Sequence, residues 1–390
     1  MSSDPNVLDQ ASTLPPLQAI AEGGDSEEAP DFYAEADGWS ETEEVFRSST
    51  PVRFPCLGVH PDGRVYALWT SENWIWFTRR VGDGWGEPEE VFGGTQPHMA
   101  VDTQGDVHLV FVKAFDRRFQ VYYTRYSEPG WMLPYDISRT RGISQHPRVA
   151  VAPEEGLVYA VWEDDTPGFP SIYYAYNPEG QWINGPVPGT RGWRPSITFD
   201  GEGALHLVWE SAIPRGRGDD VFHAQVTPRG WTLAENLSDS PRTDSALPVV
   251  AGGPGDTVHV VWEERFGNRS AIGYSAGKYA YWSKPLALTR GGYNHSPTIV
   301  VAPRGDVHLI WLERGILGYR TRSAGEEGVW HTPQALDRAL EPVEDATIAC
   351  DAEGNAHVLW TRRVENEWLV LYRRRHAAWP KKSVIPEAVG

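Results

Sequence analysis

Gly105-Asp-Val-His-Leu-Val-Phe111 is one copy of a pattern that the chain contains seven times: a glycine turn, then a short strand that ends on an aromatic residue. The other copies are Gly63–Trp69, Gly156–Trp162, Gly203–Trp209, Gly255–Trp262, Gly305–Trp311 and Gly354–Trp360. Their final aromatic residues lie 42, 51, 47, 53, 49 and 49 residues apart. A period of about fifty residues with several short strands per unit is typical of a β-propeller. The sequence therefore predicts an all-β fold.

Each repeat unit contains four segments with the alternation expected of strands. In the third unit, the first strand begins at Pro147, the second ends at Trp162, the third includes Ile172-Tyr-Tyr174 and the fourth begins at Trp182. Glycine, proline and aspartate turns separate these segments. Seven such units predict a seven-bladed propeller of four-stranded antiparallel blades over residues 31–390. Residues 1–30 are polar and acidic without a strand pattern, and we expect them to form a disordered tail.

The two ends of the chain carry parts of the repeat that are complementary in charge. An additional copy of the third and fourth strands, Phe32-Tyr33 and Trp39, precedes the first full unit. The N-terminal copy is acidic and the C-terminal copy is basic, through Glu41, Glu43 and Glu44 on one side and Arg373, Arg374, Arg375, Lys381 and Lys382 on the other. We expect residues 38–46 to close the ring as a strand of the last blade, with about 0.2–1 kcal/mol from each opposite-charge pair. The alternative is two unrelated charged edges.

The net charge of −18 is unevenly distributed along the chain. Residues 1–46 contain twelve acidic side chains and no basic one, which leaves −6 for the remainder. No basic stripe with interleaved aromatic residues is present, so nucleic acid is not an expected partner. The chain also has no stretch of eighteen apolar residues and no basic-apolar leader. We therefore expect no membrane association and a cytoplasmic location, or an extracellular one if a leader has been removed.

Histidine recurs at one position of the second strand, where two units have Tyr66 and Tyr159 instead. The five histidines are His108, His206, His259, His308 and His357. Equivalent residues of separate blades are too far apart to share an ion, so a hydrogen-bonding role is favoured over a metal site. Cys56 and Cys350 occupy non-equivalent positions, which argues against a disulfide. No cofactor is predicted, and the oligomeric state is left open.

The first unit resembles the opening of a known family of propellers. Val52-Arg53-Phe54-Pro55, continuing to Gly63, resembles the Arg-Ile-Pro segment of the bacterial neuraminidase (sialidase) superfamily, and residues 31–385 resemble its repeats. The Asp box of that family, Ser-x-Asp-x-Gly-x-x-Trp, is degraded here to turns such as Ser127-Glu-Pro-Gly-Trp131. The resemblance therefore implies a shared fold more than a shared activity.

The resemblance also implies where a sialidase-type site would lie. That family uses an arginine triad, a tyrosine nucleophile with a carboxylate partner, and an aspartate as acid/base. Arg53 and Arg194 fit two of the arginine positions, Tyr293 fits the tyrosine, and Asp244 and Glu72 are weaker matches for the two carboxylates. A third arginine at a matching position is absent, and sialidases usually have six blades. No catalytic residue is therefore assigned.

Four of the eighteen tryptophans fall outside the repeat: Trp74, Trp76, Trp193 and Trp368. Three of them lie in loops that a propeller places on one face, and Trp74 and Trp76 have packing of a short blade as their alternative role. The candidate ligand-binding residues on this face are Arg53, Trp74, His146, Trp193, Arg194, Tyr293, His295 and Trp368. Aromatic side chains beside arginine and histidine suit sugar rings or the side chains of a protein partner.

These observations favour a non-catalytic binding module that holds a carbohydrate or a protein on its loop face. Two alternatives remain open. One is a carbohydrate-active enzyme of sialidase-like or polysaccharide-lyase type, and the other is a scaffold subunit in a protein assembly.

Overall fold

A computed structural model describes residues 14, 15, 17 and 34–377, apart from residues 117, 129, 154–155, 214–217, 279–280, 326–327 and 339–340. Phe32-Tyr33, Trp379, Lys381 and Lys382 lie outside these residues. Within the described part of the chain, no helix is long and apolar enough to cross a membrane.

The chain forms seven antiparallel sheets, which are the blades of a propeller and are numbered here in chain order. The first strands of the blades are Val52–Val59, Thr95–Val101, Ser144–Val151, Trp193–Phe199, Asp244–Gly252, Asn294–Val301 and Val343–Cys350. The second strands are Val65–Ser71, Val107–Phe115, Val158–Asp164, Leu205–Ala212, Val258–Phe266, Val307–Glu313 and Ala356–Val364.

The outer half of each blade is less regular. The third strands are Trp74–Val81, Arg118–Ser127, Ser171–Tyr176, Asp219–Thr227, Arg269–Lys278, Ile316–Arg322 and Glu367–Arg375. The outermost strands, several of them broken in two, are Gly84–Trp85 with Glu89–Gly93, Gly130–Trp131 with Tyr135–Asp136, Ile183–Pro186, Gly230–Trp231 with Glu235–Asn236, Tyr281–Trp282 with Leu286–Ala287, Gln334–Asp337 and Glu43–Ser48. Among the described residues, a 3-10 turn covers Pro178–Gly180.

Aromatic residues at the ends of the second strands lie between the blades. Six of them, Trp69, Trp162, Trp209, Trp262, Trp311 and Trp360, are at most 2% exposed. Trp262 of blade 5 packs against Val208 and Val221 of blade 4. The first strands in turn contact one another in order around the axis, and that of blade 1 contacts that of blade 7. The repeated aromatic residue is thus explained by packing between neighbouring blades.

The N-terminal segment supplies the fourth strand of blade 7. Glu43–Ser48 pairs antiparallel with the third strand of that blade. The charged contacts differ from the expected acidic-to-basic match: Glu43 forms its ion pair with Arg80 of blade 1 at 3.0 Å, and Arg47 bridges Glu44 and Glu367. Arg373 donates instead to the backbone oxygen of Ser40 at 2.7 Å. Backbone pairing, with exposed ion pairs of small individual value, therefore joins the two ends.

The same segment also contacts blades 5 and 6 before it reaches blade 7. The amide of Leu17 donates to the Pro285 oxygen at 3.3 Å, and the amide of Ala287 donates to the Pro15 oxygen at 3.2 Å. The Leu17 side chain is 4% exposed within the core between blades 4 and 5. Ala34–Glu35 then pairs in parallel with the outer strand of blade 6. Leu14 and Leu17 pack against the propeller, and the other residues of the predicted tail, apart from Pro15, lie outside the described residues.

The repeated histidines belong to hydrogen-bonded networks inside the blades. His108 contacts the Tyr123 hydroxyl at 2.8 Å and the Asp102 carboxylate at 3.2 Å. His357 has the corresponding partners Tyr372 and Asp351 in blade 7. Among the described residues, no group of three or more His, Cys, Asp or Glu side chains is arranged to hold a metal ion. These contacts account for the conserved spacing of histidine as a structural feature of the repeat.

The docking of the N-terminal segment can be tested with Leu17→Ala. The variant removes a buried apolar side chain, which costs about 1.5–3 kcal/mol of unfolding free energy, and should lower the melting temperature by several degrees. Leu133→Ala, at a side chain that is 88% exposed, is the matched control. Scanning calorimetry of both variants measures the difference, and equal melting temperatures would contradict the docking.

Candidate functional site

The candidate site lies on the front face, defined as the face on which the first strand of every blade begins. The second strand of each blade ends on this face, because it runs antiparallel to the first. The turns between second and third strands and the connections between blades therefore share it. All eight residues that the sequence proposed for ligand binding lie on or next to these segments.

A left-handed bulge marks the beginning of the first strand in six blades. The bulged residue has φ between 51° and 55°, and a proline follows it: the six are Phe54, Gln96, His146, Arg194, Leu247 and Ser296. Such φ values are uncommon outside glycine, and the residue before a proline is disfavoured in the right-handed helical region. The register of the first two strands shifts at each of these points. Bulges of this kind change the direction of side chains and occur next to binding sites.

The bulged residues donate backbone hydrogen bonds to side chains of the preceding blade. The donor–acceptor pairs are Phe54 N to Asp345 at 3.0 Å, His146 N to Gln96 at 2.7 Å, Arg194 N to Glu163 at 3.2 Å, and Leu247 N to Glu210 at 2.7 Å. These bonds join blades 7 to 1, 2 to 3, 3 to 4, and 4 to 5 at the opening of the central channel. The acidic and amide side chains around the opening are thus held in place by the backbone of the next blade.

Two arginines act on one carboxyl group at this opening, and an arginine of a third blade lies near one of them. Burial raises the pKa of Asp345 to about 6, although the Phe54 and Ala346 amides and the charges of Arg148 and Arg53 oppose the shift. Burial and the nearby charge of Arg194 lower the pKa of Arg148. We call this group, Arg53, Arg148, Arg194 and Asp345, the channel cluster. It can hold an anion, because the charges of Arg53 and Arg148 act on a carboxyl that is readily protonated and the charge of Arg194 adds to that of Arg148.

Two further polar side chains beside the channel cluster are structural. The Cys56 thiol donates to the Pro97 oxygen at 3.0 Å, and burial raises its pKa to about 12. A thiol with so high a pKa is not a nucleophile at neutral pH. His98 accepts the Val149 amide at 3.2 Å, and burial lowers its pKa well below the ordinary value.

Two glutamates at the opening have opposite electrostatic environments. Burial raises the pKa of Glu210, which is 8% exposed. Burial also acts on Glu163, but the hydrogen bond from His146, together with the nearby charge of Arg194, outweighs it and lowers the pKa of Glu163. His146 Nδ1 lies 3.0 Å from the Glu163 carboxylate. A pair of carboxyl groups with pKa values moved apart can act as an acid and a base.

The remaining proposed residues lie around this opening. Trp193 is half-buried and pairs with Glu210 across the first two strands of blade 4. His295 is half-buried, and burial lowers its pKa. Tyr293 is 47% exposed, with the Arg314 guanidinium 5.1 Å from its ring, and Trp74 is 45% exposed. These side chains are available to a ligand on the front face.

Trp368 corrects one expectation from the sequence. Only 8% of this residue is exposed, and it packs in the core with Trp69 and Val370. The Arg53 guanidinium lies 5.9 Å from its ring. Trp368 therefore packs blade 7 and supports Arg53 instead of forming an exposed platform.

The sialidase-type set is only partly brought together. The charge of Arg53 acts on Asp345, and that of Arg194 acts on Arg148, an arginine that the sequence comparison did not include. Asp244 accepts the Asp219 amide at 3.2 Å, and Glu72 lies in the left-handed turn between the second and third strands of blade 1. These two carboxylates are accounted for by local structure.

Arg148 and Asp345 are the residues that sequence reasoning missed. Both leave a signal in the repeat. Asp345 lies at the bulge of blade 7 and is followed by Ala346, where the other six blades have a proline, and Arg148 follows Pro147 where the next blade has Ser196. Departures from the repeat at its innermost strand could have located them.

The fold is similar to the folds of solved carbohydrate-active proteins. The polysaccharide lyase Uly1 is 9% identical with a TM-score of 0.56, over 96% of this chain and 95% of that chain. An α-L-arabinofuranosidase from Fusarium graminearum, solved with an iminosugar inhibitor, is 13% identical with a TM-score of 0.52, over 87% of this chain and 98% of that chain. A leech intramolecular trans-sialidase also matches, at 10% identity and a TM-score of 0.48, over 86% of this chain and 70% of that chain.

These identities show a shared fold and leave the activity open. Sialidases are also among the matched structures. No protein-family model matches the sequence. No curated protein matches it either.

The different positions of the two tryptophans can be tested by truncation. Trp368→Ala should lower the unfolding free energy by about 3–5 kcal/mol, because it leaves a cavity between blades 7 and 1. Trp74→Ala, at a half-exposed ring of the same face, should change it by less than about 1 kcal/mol. Urea unfolding followed by fluorescence measures both values. A Trp368→Ala protein as stable as Trp74→Ala would contradict the packing role.

Proposed function

We propose that the protein binds a carbohydrate that carries a carboxylate, with the carboxylate held by the channel cluster. The observation that carries this proposal is that Arg53 and Arg148 act on Asp345 while Arg194 lies near Arg148. Guanidinium groups bind carboxylates with paired, charge-assisted hydrogen bonds. Trp193 beside the opening offers aromatic surface for the apolar face of a sugar ring.

The similarity to carbohydrate-active propellers favours a sugar as the ligand over a protein partner, although it concerns the fold alone. The desolvated position of Arg148 adds a physical argument. A buried cation is stabilised by an anion, and Asp345 supplies a full negative charge only above its raised pKa of about 6. Below that pH an anionic ligand can take its place.

Anion binding should therefore depend on pH in a defined direction. Between pH of about 7.5 and about 5 a sugar carboxylate stays ionised, whereas Asp345 becomes protonated. The affinity for galacturonate should increase by about ten-fold over this range, because the three arginines lose their competing charge. Asp345→Asn should bind at pH 7.5 as well as the wild type does at pH 5, with little pH dependence. Isothermal titration calorimetry measures these affinities.

Variants of the arginines provide the control. Arg148→Gln should weaken galacturonate binding at least ten-fold. Arg304→Gln makes the same chemical change at an exposed turn on the opposite face and should leave binding unaltered. Neutral galactose should bind more weakly than galacturonate. Equal affinity for the two sugars, or for the two variants, would overturn the proposal, and silence on a glycan array would favour a protein partner.

Glycoside cleavage is a second candidate function, favoured by the opposite pKa shifts of Glu163 and Glu210. In this scheme Glu210, whose pKa is raised, donates a proton to the leaving oxygen, and Glu163, whose pKa is lowered, acts as the base or nucleophile. Both carboxyl groups already accept a backbone hydrogen bond, which fixes their positions.

A reducing-sugar assay on acidic oligosaccharides tests cleavage. If the protein is an enzyme, Glu163→Gln and Glu210→Gln should each lower the rate by at least about a hundred-fold and keep binding intact. Glu263→Gln is the matched control, because Glu263 holds the same repeat position in blade 5 and is paired with Arg265 at 2.7 Å. If the wild type releases no sugar, cleavage is ruled out and the proposed binding function is unaffected.

A further inference from the structure

Arginines stacked on aromatic rings recur around the front face, outside the channel cluster. The Arg191 guanidinium lies 4.1 Å from the centre of the Phe169 ring in blade 3, and Arg314 lies 5.1 Å from that of Tyr293. In blade 5 the pair is Arg269 and Phe266, at 5.4 Å. All three occur in the turns between second and third strands or in the connections between blades. We call these three pairs, together with the hairpin tip of blade 2, the rim.

The hairpin tip of blade 2 has the same composition. Phe115 and Arg118 are cross-strand neighbours there, and Phe115 and Phe119 are 65% and 43% exposed. Beside them is a cleft of about 240 Å³, whose lining includes Arg118 and Arg139 together with the acidic residues Asp116 and Asp136. The cleft has about the volume of eight water molecules, the scale of a single sugar ring.

Exposed aromatic side chains are concentrated on this face. Among the described residues, the exposed ones are Trp74, Phe115, Phe119 and Tyr293 on the front face and Tyr281 on the back. An aromatic ring that stays exposed does not gain the stabilisation that burial gives. The concentration of such rings on one face indicates a surface that a ligand or partner covers. Stacking on a ring orders the guanidinium while its N–H edge stays free for an anion.

The rim lies outside the reach of a single sugar bound at the channel. Neighbouring strands of a sheet are about 4.8 Å apart, so a turn between second and third strands lies roughly 5–10 Å outward from the first strand. Further units of a chain that starts at the channel would extend across these turns. Each would meet a ring for its apolar face and a guanidinium for its carboxylate.

We propose that the rim provides outlying subsites for a polymer of acidic sugars, so that the protein binds a polysaccharide chain in preference to one terminal sugar. This inference rests on the proposed binding of a sugar carboxylate at the channel cluster. The charge and the aromatic surface both match a polyuronate, whose units repeat the same carboxylate.

The test compares oligogalacturonates of one, two, four and eight units by calorimetry. Affinity should increase at least ten-fold from one unit to eight. The double variant Arg191→Gln/Arg314→Gln should lose this gain and keep the affinity for one unit, because neither residue belongs to the channel cluster. Arg229→Gln/Arg304→Gln, with both changes at exposed turns of the back face, is the matched control and should keep the gain.

The other outcomes of this experiment contradict the rim proposal, the proposed function or both. Binding of the single unit without a gain on lengthening would overturn the rim and leave the proposed function intact. No binding of any length would overturn both. Polyglutamate of equal charge should show less than a tenth of the affinity of the octamer. Equal binding of polyglutamate would make the rim a general anion surface and overturn the assignment to a saccharide.

Discussion

The packing of an aromatic residue between each blade and the next is the constraint on which this structure depends. Trp262 illustrates it: the ring comes from the second strand of blade 5 and fills space against Val208 and Val221 of blade 4. Because the ring of blades is closed, a gap at one such position cannot be removed by moving a single blade. The size of these side chains therefore sets the spacing of the innermost strands and the width of the channel between them.

The opening of the channel combines stability and binding in the same groups. Glu163 and Glu210 accept hydrogen bonds from left-handed bulges of the following blades, and Asp345 does so across the closure of the ring. These bonds hold the carboxyl groups in fixed positions, which is the condition for selective binding. They also keep buried acidic groups beside arginines, so the charge of the opening depends on both sets of residues together.

Much of the architecture could be predicted from the sequence, because a repeat of about fifty residues can be recognised from the self-similarity of the chain. The exposure of Trp74 and Tyr293 also followed from their positions outside the repeat. Trp368 could not be predicted in this way, since its core neighbour Trp69 belongs to blade 1 and meets it only through ring closure. A residue that packs against a distant blade cannot be recognised from the period of the repeat, and Leu17 is a second example.

The role of Arg148 and Asp345 was hidden for a related reason. Each occupies a position where other blades have a different residue. The two come together only because blades 3 and 7 are arranged around one axis. The side chain of Arg148 has neighbours from blades 1, 4 and 7, none of which is near it in the sequence. Sequence periodicity identifies which positions face inward, whereas the closed arrangement of the blades determines which of these side chains lie close together.

The N-terminal strand of blade 7 affects how the protein folds during its synthesis on the ribosome. Its partner strand is synthesised much later, because the contact between Arg47 and Glu367 joins residues 320 positions apart. Blades 1 to 6 can form during synthesis, but the early strand must remain without its neighbour until the third strand of blade 7 has emerged. Contacts of such long sequence separation form slowly. A nascent chain that stalls late would therefore present an unpaired strand edge, the kind of surface on which chaperones and aggregation compete.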